Sequence, residues 1–458
     1  MAGLINHLNA IRNFFDTGAT RSADFRKKQL QLLKESIRKH EEALSNALFT
    51  DLHKSKEEVW ITETGMVLSE INACIKSLDE WMAPQPVPTN FVNIPGKSYL
   101  LPEPLGVVLI IAPWNYPFQL LFMPLVGAIA AGNCVVLKPS ELTPATEKIM
   151  GQIIAETFAP NYVLYAPGEG AALIPELMDT FRYDHVFYTG STAVGKIIYQ
   201  KAAAQLAPVT LELGGKSPCI VTANAALTVA AKRITSIKFS NAGQMCITPD
   251  YLLVHHSVKE ALVRQLKATL LKFYGEHPIT SYDYGRIVNN KHFNRLRNLM
   301  EGQTILHGGE HNEEELFIAP TLIDTPSTEA PIMKEEIFGP LLPIIGYEND
   351  AEALAWIRQN ENPLALYVFT SNKREANQWL QQVPFGGGCV NTTAMHYLNK
   401  NLPFGGRGNS GIGRYHGRFS FETFSHTKGV LKARTWPDIP LAYPTLKGKL
   451  KTLKRLLG

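Results

Sequence analysis

Short apolar runs alternate with helix-length segments along the chain from residue 105 onward. The runs LGVVLIIAP, NCVVLKP, YVLYAPG, HVFYTG and PVTLELGG follow one another between residues 105 and 215. Apolar runs of this length predict strands that are buried on both faces, and their alternation with helices predicts a parallel sheet. Ligands of such a sheet bind at the carboxyl ends of its strands. The pattern therefore predicts an α/β fold with a ligand site at that edge.

The same pattern repeats farther along the chain. Helical segments separate the runs SPCIVTA (217–223), YLLVHH (251–256), LLPIIGY (341–347), LALYVFT (364–370) and GGCVNT (387–392), which predicts a second α/β domain. Before the first domain, amphipathic spacing over 22–50 predicts helices with Ser22 as a cap. The proline-rich stretch 84–104 predicts turns and extended chain.

The composition is that of an ordinary globular protein. The chain has 458 residues, of which 45% are hydrophobic and 19% are charged, and this length predicts several domains. Lys and Arg (45) exceed Asp and Glu (41) by only four, so nothing indicates nucleic-acid binding. Because the N-terminus lacks a secretion signal and no apolar run has the length of a membrane span, we expect a cytoplasmic protein.

Five cysteines are widely spaced and form neither a CxxC pair nor a Cys/His cluster, so we expect no disulfide and no metal site. Cys74, Cys134 and Cys219 lie in apolar or amphipathic segments, where a thiol is normally an inert core residue. Cys246 lies in the polar, glycine-bearing segment SNAGQMCITPD, a setting in which a thiol can be accessible and more acidic than usual. Cys246 is therefore the first candidate for a reactive thiol, and Cys389 is the second.

Residues 190–196, GSTAVGK, follow a predicted strand and open a predicted helix. This geometry directs free backbone N–H groups toward an anion, and Gly190, Ser191 and Gly195 carry it. The motif matches the start of a P-loop, but Ile197 stands where a P-loop needs Ser or Thr for magnesium. We therefore favour a turn that contacts a pyrophosphate over an NTPase, and a purely structural tight turn remains an alternative. The literal GxGxxG at 406–411 follows a loop rather than a strand and does not predict a dinucleotide site.

Six motifs, in order, resemble the aldehyde dehydrogenase superfamily over about residues 14–430. They are PWNYP with Asn115, KPSELTP with Lys138 and Glu141, FYTGSTAVGK, LELGGKSP with Glu212, NAGQMC with Cys246, and EEIFGP with Glu336 and Phe338. The short N-terminus and residues 402–426 resemble the class 3 branch, which includes enzymes for fatty and aromatic aldehydes. The resemblance implies NAD(P)-dependent oxidation of medium- or long-chain aliphatic or aromatic aldehydes to carboxylic acids.

The resemblance also implies a role for each catalytic residue. Cys246 attacks the aldehyde, and the Asn115 amide and the Cys246 N–H stabilise the oxyanion. Glu212 activates the water that hydrolyses the thioester. From the residues alone, Asn115 equally fits a residue that shapes its turn. A carboxylate in VTLELGG is either buried with a raised pKa or exposed on a sheet edge, and the pattern by itself favours the surface.

For the cofactor, the resemblance implies that Lys138 donates to the adenosine ribose and that Glu141 accepts from the same sugar. The Glu141 carboxylate disfavours a 2′-phosphate, so NAD is the expected cofactor, with NADP also accepted. Glu336 holds the nicotinamide ribose and Phe338 packs near it. The alternative for Lys334, Glu335 and Glu336 is a solvated charge run before a turn.

The resemblance implies a Rossmann-like cofactor domain (1–80 and 105–210), an α/β catalytic domain (211–390), and a small β oligomerisation arm formed by bridging segments 81–104 and 391–430. It also implies a homodimer. Residues 431–458 are a basic tail with Leu446, Leu450, Leu453 and Leu457 at helical spacing. Such a tail makes weak contact with an anionic membrane surface or packs on the enzyme itself.

Three rival functions remain. A CoA-acylating aldehyde dehydrogenase resolves the thioester with coenzyme A, and Glu212 argues against it because this glutamate activates water. A P-loop-like NTPase uses GSTAVGK, and its activity would survive loss of Cys246. A non-catalytic binding protein on the same fold does not need Cys246, Glu212 and Asn115 together.

Overall fold

The structure is a computed structural model that describes residues 2–436, 443–444 and 446–457. The helices are α1 (Ala2–Asp16), α2 (Ala23–Lys39), α3 (Glu41–Leu52), α4 (Lys56–Val59), α5 (Gly65–Met82), α6 (Pro117–Ala131), α7 (Pro144–Thr157), α8 (Gly170–Thr180), α9 (Thr192–Ala204), α10 (Leu227–Phe239), α11 (His256–Tyr274), α12 (Asn290–Met300), α13 (Pro331–Lys334), α14 (Asp350–Arg358), α15 (Lys373–Gln382), α16 (Arg418–Thr423) and α17 (Leu450–Leu457).

The strands are β1 (Gln85–Val87), β2 (Lys97–Pro104), β3 (Val107–Ile111), β4 (Cys134–Lys138), β5 (Val163–Tyr165), β6 (His185–Thr189), β7 (Val209–Glu212), β8 (Pro218–Val221), β9 (Tyr251–His255), β10 (Thr304–His307), β11 (His311–Asn312), β12 (Phe317–Ile318), β13 (Thr321–Asp324), β14 (Leu341–Tyr347), β15 (Ala365–Phe369), β16 (Gly387–Val390), β17 (Gly411–Ile412) and β18 (Ser425–Lys432). The predicted α/β fold class is confirmed.

The first sheet has six strands in the order β17-β7-β6-β3-β4-β5. The five apolar runs between residues 105 and 215 form its parallel strands, as predicted, and β3, β4 and β6 are buried along their whole length. Strand β17 is an antiparallel addition that comes from far along the chain and pairs with β7. This addition removes β7 from the sheet edge.

The second sheet has seven strands in the order β10-β13-β14-β9-β8-β15-β16. The five predicted strands of the second domain all belong to it and run parallel. The apolar pattern of the sequence did not predict β10 and β13. Strand β10 is partly exposed with a register shift after Ile305, and β13 has polar residues, Thr321 and Asp324, at its two ends, so neither shows a continuous apolar run.

The N-terminal part confirms the predicted helices, because the Ser22 hydroxyl accepts a hydrogen bond from Phe25 N and caps α2. The proline-rich stretch contributes β1 and β2 to a separate antiparallel sheet of order β1-β2-β18. The homodimer stays a prediction.

In the tail, α17 carries leucines and lysines, and the side chain of Leu450 is 64% exposed. Among the residues that the structure describes, no helix is both long and apolar enough to span a membrane. Contact of the tail with a membrane surface stays a prediction.

Candidate active site

One cavity brings together residues from both sheets. It encloses about 480 Å³, a volume within the usual range for a small-molecule or cofactor site. Seven of the residues selected from the sequence line it: Asn115, Gly190, Ser191, Glu212, Cys246, Glu336 and Phe338. Three others, Lys138, Glu141 and Gly195, lie outside its lining. The three expected catalytic residues therefore face one space together with four of the expected cofactor residues.

Cys246 follows a strained loop. After α10 ends, Asn241 and Ala242 adopt φ values of 48° and 50°, in a left-handed region that residues with a side chain rarely occupy. Gly243 continues the turn with a φ of 74°, and a side chain there would meet Gly339 O at 2.2 Å. Strain of this kind persists only where surrounding contacts hold it, and it is common at functional sites.

The Gln244 side chain supplies several of those contacts. Its Nε2 donates to Asn241 O (3.0 Å) and Arg286 O (2.8 Å), and its Oε1 accepts from Val288 N (3.1 Å). These bonds fix the turn directly before the sulfur. They set the direction in which the Cys246 side chain and its backbone N–H point.

The Cys246 thiol is partly exposed to the cavity. Burial, followed by the negative charges of Glu336 and Glu212, raises the pKa of this thiol well above its usual range. The expectation of a more acidic thiol is therefore wrong for this structure, and the resting sulfur is protonated at neutral pH. Among the described residues that line the cavity, Cys246 is the only cysteine. The Sγ of the second candidate, Cys389, lies instead against His396 Nδ1 at 3.4 Å.

Asn115 lies just beyond the carboxyl end of β3 and is almost completely buried. Its Nδ2 donates to Gln244 O at 3.0 Å, and its carbonyl oxygen accepts from Lys54 Nζ and Asn241 Nδ2, each at 2.8 Å. The Asn115 side chain and peptide are therefore held from both sides. One amide hydrogen of Nδ2 is used by Gln244 O, and the other is left for a ligand in the cavity.

Glu212 is the last residue of β7 and is only 2% exposed. Neither of its carboxylate oxygens accepts a hydrogen bond from any residue that the structure describes. Burial raises the pKa of Glu212 well above its ordinary value. The surface interpretation of this glutamate is wrong, because β17 pairs Gly411 with Glu212 and covers the edge of β7.

A second cavity meets the first at Cys246. The side chains of Leu120, Thr189, Glu212 and Cys246 line both cavities. The rest of the second cavity is mainly apolar and aromatic: Tyr116, Met245, Ile247, Tyr397, Phe404 and Tyr415, with Thr62, Gln119 and His416. We call this second space the apolar tunnel. We call the first cavity the cleft, and the sulfur and the Glu212 carboxylate thus stand where the cleft meets the apolar tunnel.

The GSTAVGK segment forms the expected strand-to-helix turn. Gly190 follows β6, and Ser191 caps α9 by accepting a hydrogen bond from Val194 N. A side chain at Gly190 would meet Tyr188 Oη at 2.3 Å, and one at Gly195 would meet Leu213 Cδ2 at 2.7 Å. Glycine at both positions lets the backbone and α9 approach the sheet closely. The free N–H groups at the start of α9 suit a phosphate.

Glu336 and Phe338 lie in a segment held by a buried ion pair that we did not predict, Lys216 with Asp250. Lys216 Nζ also donates to Ile332 O and Glu335 O, and Asp250 Oδ1 accepts from Ile337 N. The two groups therefore hold the backbone on both sides of Glu336.

The side chain of Glu336 faces the cavity. Burial, and then repulsion from Asp250, raises the pKa of Glu336 to about 8. The interpretation as a solvated charge run fits Lys334 and Glu335, which are exposed, but is wrong for Glu336. A carboxyl group with this pKa is partly protonated at neutral pH, so it can both donate to and accept from a hydroxyl group.

Lys138 and Glu141 form a pair at the carboxyl end of β4. Lys138 Nζ lies 2.8 Å from Glu141 Oε2, and Glu141 Oε1 accepts from Gly170 N at 3.1 Å. Partial burial opposes ionisation of Glu141, but the hydrogen bonds from Lys138 and from backbone amides outweigh it and lower the pKa of Glu141. The carboxylate is therefore charged at neutral pH.

Other residues of the site were not found from the sequence. Trp114, His292 and Arg295 line the first cavity. The His292 ring lies 5.1 Å from that of Trp114, and burial lowers the pKa of His292 to about 4, so the imidazole is neutral. Arg295 donates to Ile337 O at 2.6 Å. Trp114 stands inside the PWNYP motif, which is the one signal that pointed to any of the three.

Comparisons with known proteins agree with this geometry. The model of the family described as "Aldehyde dehydrogenase family" matches residues 6–430. A 4,4'-diaponeurosporen-aldehyde dehydrogenase of Staphylococcus aureus is 47% identical over 443 residues, which are 96% of each chain. Aldehyde dehydrogenase family 3 member B1 of Rattus norvegicus is 44% identical over 428 residues, covering 93% of this chain and 90% of the rat protein.

A solved structure gives the same result. The structure of Staphylococcus aureus AldH in a substrate-bound state superposes with a TM-score of 0.97 at 46% identity and covers 99% of both chains. The predicted resemblance, including the class 3 branch, is confirmed. The comparisons give no support to the NTPase interpretation of GSTAVGK.

Proposed function

The chain belongs to the aldehyde dehydrogenase family and is an oxidoreductase that acts on aldehydes with NAD(P), and from this premise we propose that it works through a thioester on Cys246. The observation that carries the proposal is the common cavity of Cys246, Asn115 and Glu212, placed where the cleft and the apolar tunnel meet. A nucleophile, an oxyanion donor and a base are the three groups that this chemistry needs.

In the first step, the Cys246 sulfur attacks the aldehyde carbon, which becomes tetrahedral. Because its pKa is raised, the thiol carries its proton at rest, and this proton passes to solvent as the carbon–sulfur bond forms. The carbonyl oxygen gains negative charge, and the Asn115 amide and the Cys246 N–H donate to it. Because Asn115 is already fixed by three hydrogen bonds, it needs no reorganisation when the charge develops.

Residues of the cleft, and the pair at the carboxyl end of β4, fit the nicotinamide cofactor. The N–H groups at the start of α9 suit a phosphate, Lys138 and Glu141 form a donor–acceptor pair for ribose hydroxyls, and Glu336 faces the cavity near Cys246. A nicotinamide cofactor held by these residues would supply the acceptor for the hydride of the tetrahedral carbon. The acyl group then remains on the sulfur.

Glu212 acts in the second step. With no hydrogen bond from the described residues and with a raised pKa, its carboxylate is a strong enough base to take a proton from water. The activated water attacks the thioester carbon, and the carboxylic acid departs. This step argues for hydrolysis rather than transfer to coenzyme A, because an acylating enzyme has no need of a water-activating base.

We propose that the substrates are aldehydes with apolar chains. The tunnel walls are mainly apolar and aromatic, and each buried methylene gains about 0.8 kcal/mol, or about fourfold in affinity. The tunnel encloses only about 40 Å³, so for straight-chain aldehydes kcat/KM is expected to rise by about this factor for each of the first few methylenes and then to level off. Steady-state kinetics measure the series, with an aldehyde that carries a terminal carboxylate as the control. A profile that does not change with chain length would contradict the assignment.

We also propose that NAD is preferred over NADP, because the charged Glu141 carboxylate repels a 2′-phosphate. The variant Glu141→Gln is expected to lower the KM for NADP about tenfold relative to the KM for NAD, which corresponds to about 1.4 kcal/mol. Initial rates with both cofactors measure the ratio. Glu156→Gln, at an exposed position near the end of α7, is the matched control. An unchanged ratio in Glu141→Gln would remove Glu141 from cofactor selection.

A further inference from the structure

Lys54 is a completely buried lysine that directly contacts the segment of Asn115. It lies two residues after α3, and its side chain has no exposed surface. Its Nζ donates to Glu63 Oε1 at 2.7 Å and to Asn115 O at 2.8 Å, and it lies 3.8 Å from the centre of the Tyr116 ring. All three contacts of this ammonium group are therefore directed at Glu63 or at residues 115 and 116.

Glu63 contacts the same segment from its other end. Its Oε2 accepts from Gln119 N at 2.8 Å, in the first turn of α6, where backbone N–H groups lack partners within the helix. Glu63 belongs to a five-residue π-helical turn, Trp60–Thr64, between α4 and α5. π-Helical turns are rare in proteins, and those that do occur are often found at functional sites. The preceding residue, Thr62, lines the apolar tunnel.

A buried ion pair is weak evidence of a stabilising role. Removing two charges from water carries a large desolvation cost, and apolar residues of similar size often give equal stability at such positions. The backbone groups that Lys54 and Glu63 contact are therefore informative about the role of the pair. One end is the carbonyl of Asn115 and the other is the amide of Gln119, so the pair spans the turn that carries the oxyanion donor.

We infer that the Lys54–Glu63 pair positions Asn115 for catalysis, so that both are positioning residues for the oxyanion donor. This inference rests on the proposed role of Asn115. The pair fixes the Asn115 peptide, and the peptide sets the direction of the side-chain amide. Loss of one oxyanion donor typically costs 10²–10³ in kcat, and a displacement of about 1 Å costs up to 10².

The test uses the variant Lys54→Met/Glu63→Gln, which removes both charges of the pair together. It is expected to lower kcat about 10- to 100-fold while the KM for the aldehyde and the affinity for NAD change less than twofold. In an Asn115→Ala background, the same double substitution is expected to cause no further loss. This second measurement separates an action through Asn115 from general destabilisation, which would lower the rate in both backgrounds.

The control is Lys259→Met/Asp324→Asn, which removes a remote, partly exposed lysine–carboxylate pair (2.6 Å) and is expected to leave kcat unchanged. If the first variant does not fold, Lys54→Arg keeps the charge opposite Glu63 but moves the donor, and the same fall in kcat is expected. Full activity of Lys54→Met/Glu63→Gln or of Lys54→Arg, or equal losses with and without Asn115, would overturn the inference. If Asn115→Ala alone leaves kcat unchanged, the proposed role of Asn115 fails instead.

Discussion

Replacing Cys246 with alanine is expected to lower aldehyde oxidation by about 10⁵-fold or more while leaving NAD binding intact. Removing a catalytic nucleophile typically costs on this order, because no other group in the site forms the covalent intermediate. Among the described residues that line the cavity, no second cysteine replaces the lost sulfur. Steady-state NADH formation measures the rate, and fluorescence titration measures the affinity for NAD.

The matched control for this experiment is Cys389→Ala. Cys389 is another buried thiol of the catalytic half, and it contacts His396 rather than the site. Its replacement is expected to leave the rate within about twofold of the parent enzyme, since a small core thiol behaves as a hydrophobic group. If the two variants lost activity to the same extent, Cys246 would not be the nucleophile.

Replacing Glu212 with glutamine is expected to separate the two halves of the reaction. The first turnover still forms NADH in a rapid burst, since Cys246 and Asn115 remain in place. Hydrolysis then becomes slow, and kcat falls about 10²- to 10⁴-fold, the usual contribution of a general base. Stopped-flow absorbance at the NADH band measures both phases. Unimpaired steady-state turnover would exclude Glu212 as the base.

The pH profile follows from the same residue. A base must be deprotonated to act, and burial raises the pKa of Glu212, so kcat is expected to fall as the pH drops through that raised value. In Glu212→Gln, this dependence is expected to disappear from the slow phase. An acidic limb that is unchanged in the variant would point to another titrating group, with Glu336 and its pKa of about 8 as the nearest candidate.

Five strands of each large sheet could be predicted from the sequence because they lie in largely apolar runs, such as VVLII of β3 or CVVLK of β4. The glycine turn at residues 190–196 could be predicted as well, since glycine is needed where a backbone approaches a sheet. The site residues were found because local sequence motifs resemble those of a known family. Local patterns of this kind carry information about one segment at a time.

What the sequence did not reveal depends on contacts between distant segments. The burial of Glu212 depends on β17, which arrives two hundred positions later in the chain. The Lys54–Glu63 pair forms because a π-helical turn and the turn after β3 lie close together in the fold. The sequence of either turn gives no sign of its contact with the other. The left-handed conformation of Ala242 has no local signal at all, because alanine does not favour it.

The most direct measurement is to catch the covalent intermediate. The Glu212→Gln enzyme is mixed with NAD and an apolar aldehyde, quenched in acid within the burst, and digested for peptide mass spectrometry. We expect an acyl group on the peptide that contains Cys246, in an amount equal to the NADH formed in the burst. A full burst with an unmodified Cys246 peptide, or with the acyl group on another residue, would contradict the central claim that the aldehyde carbon is oxidised while bound to this sulfur.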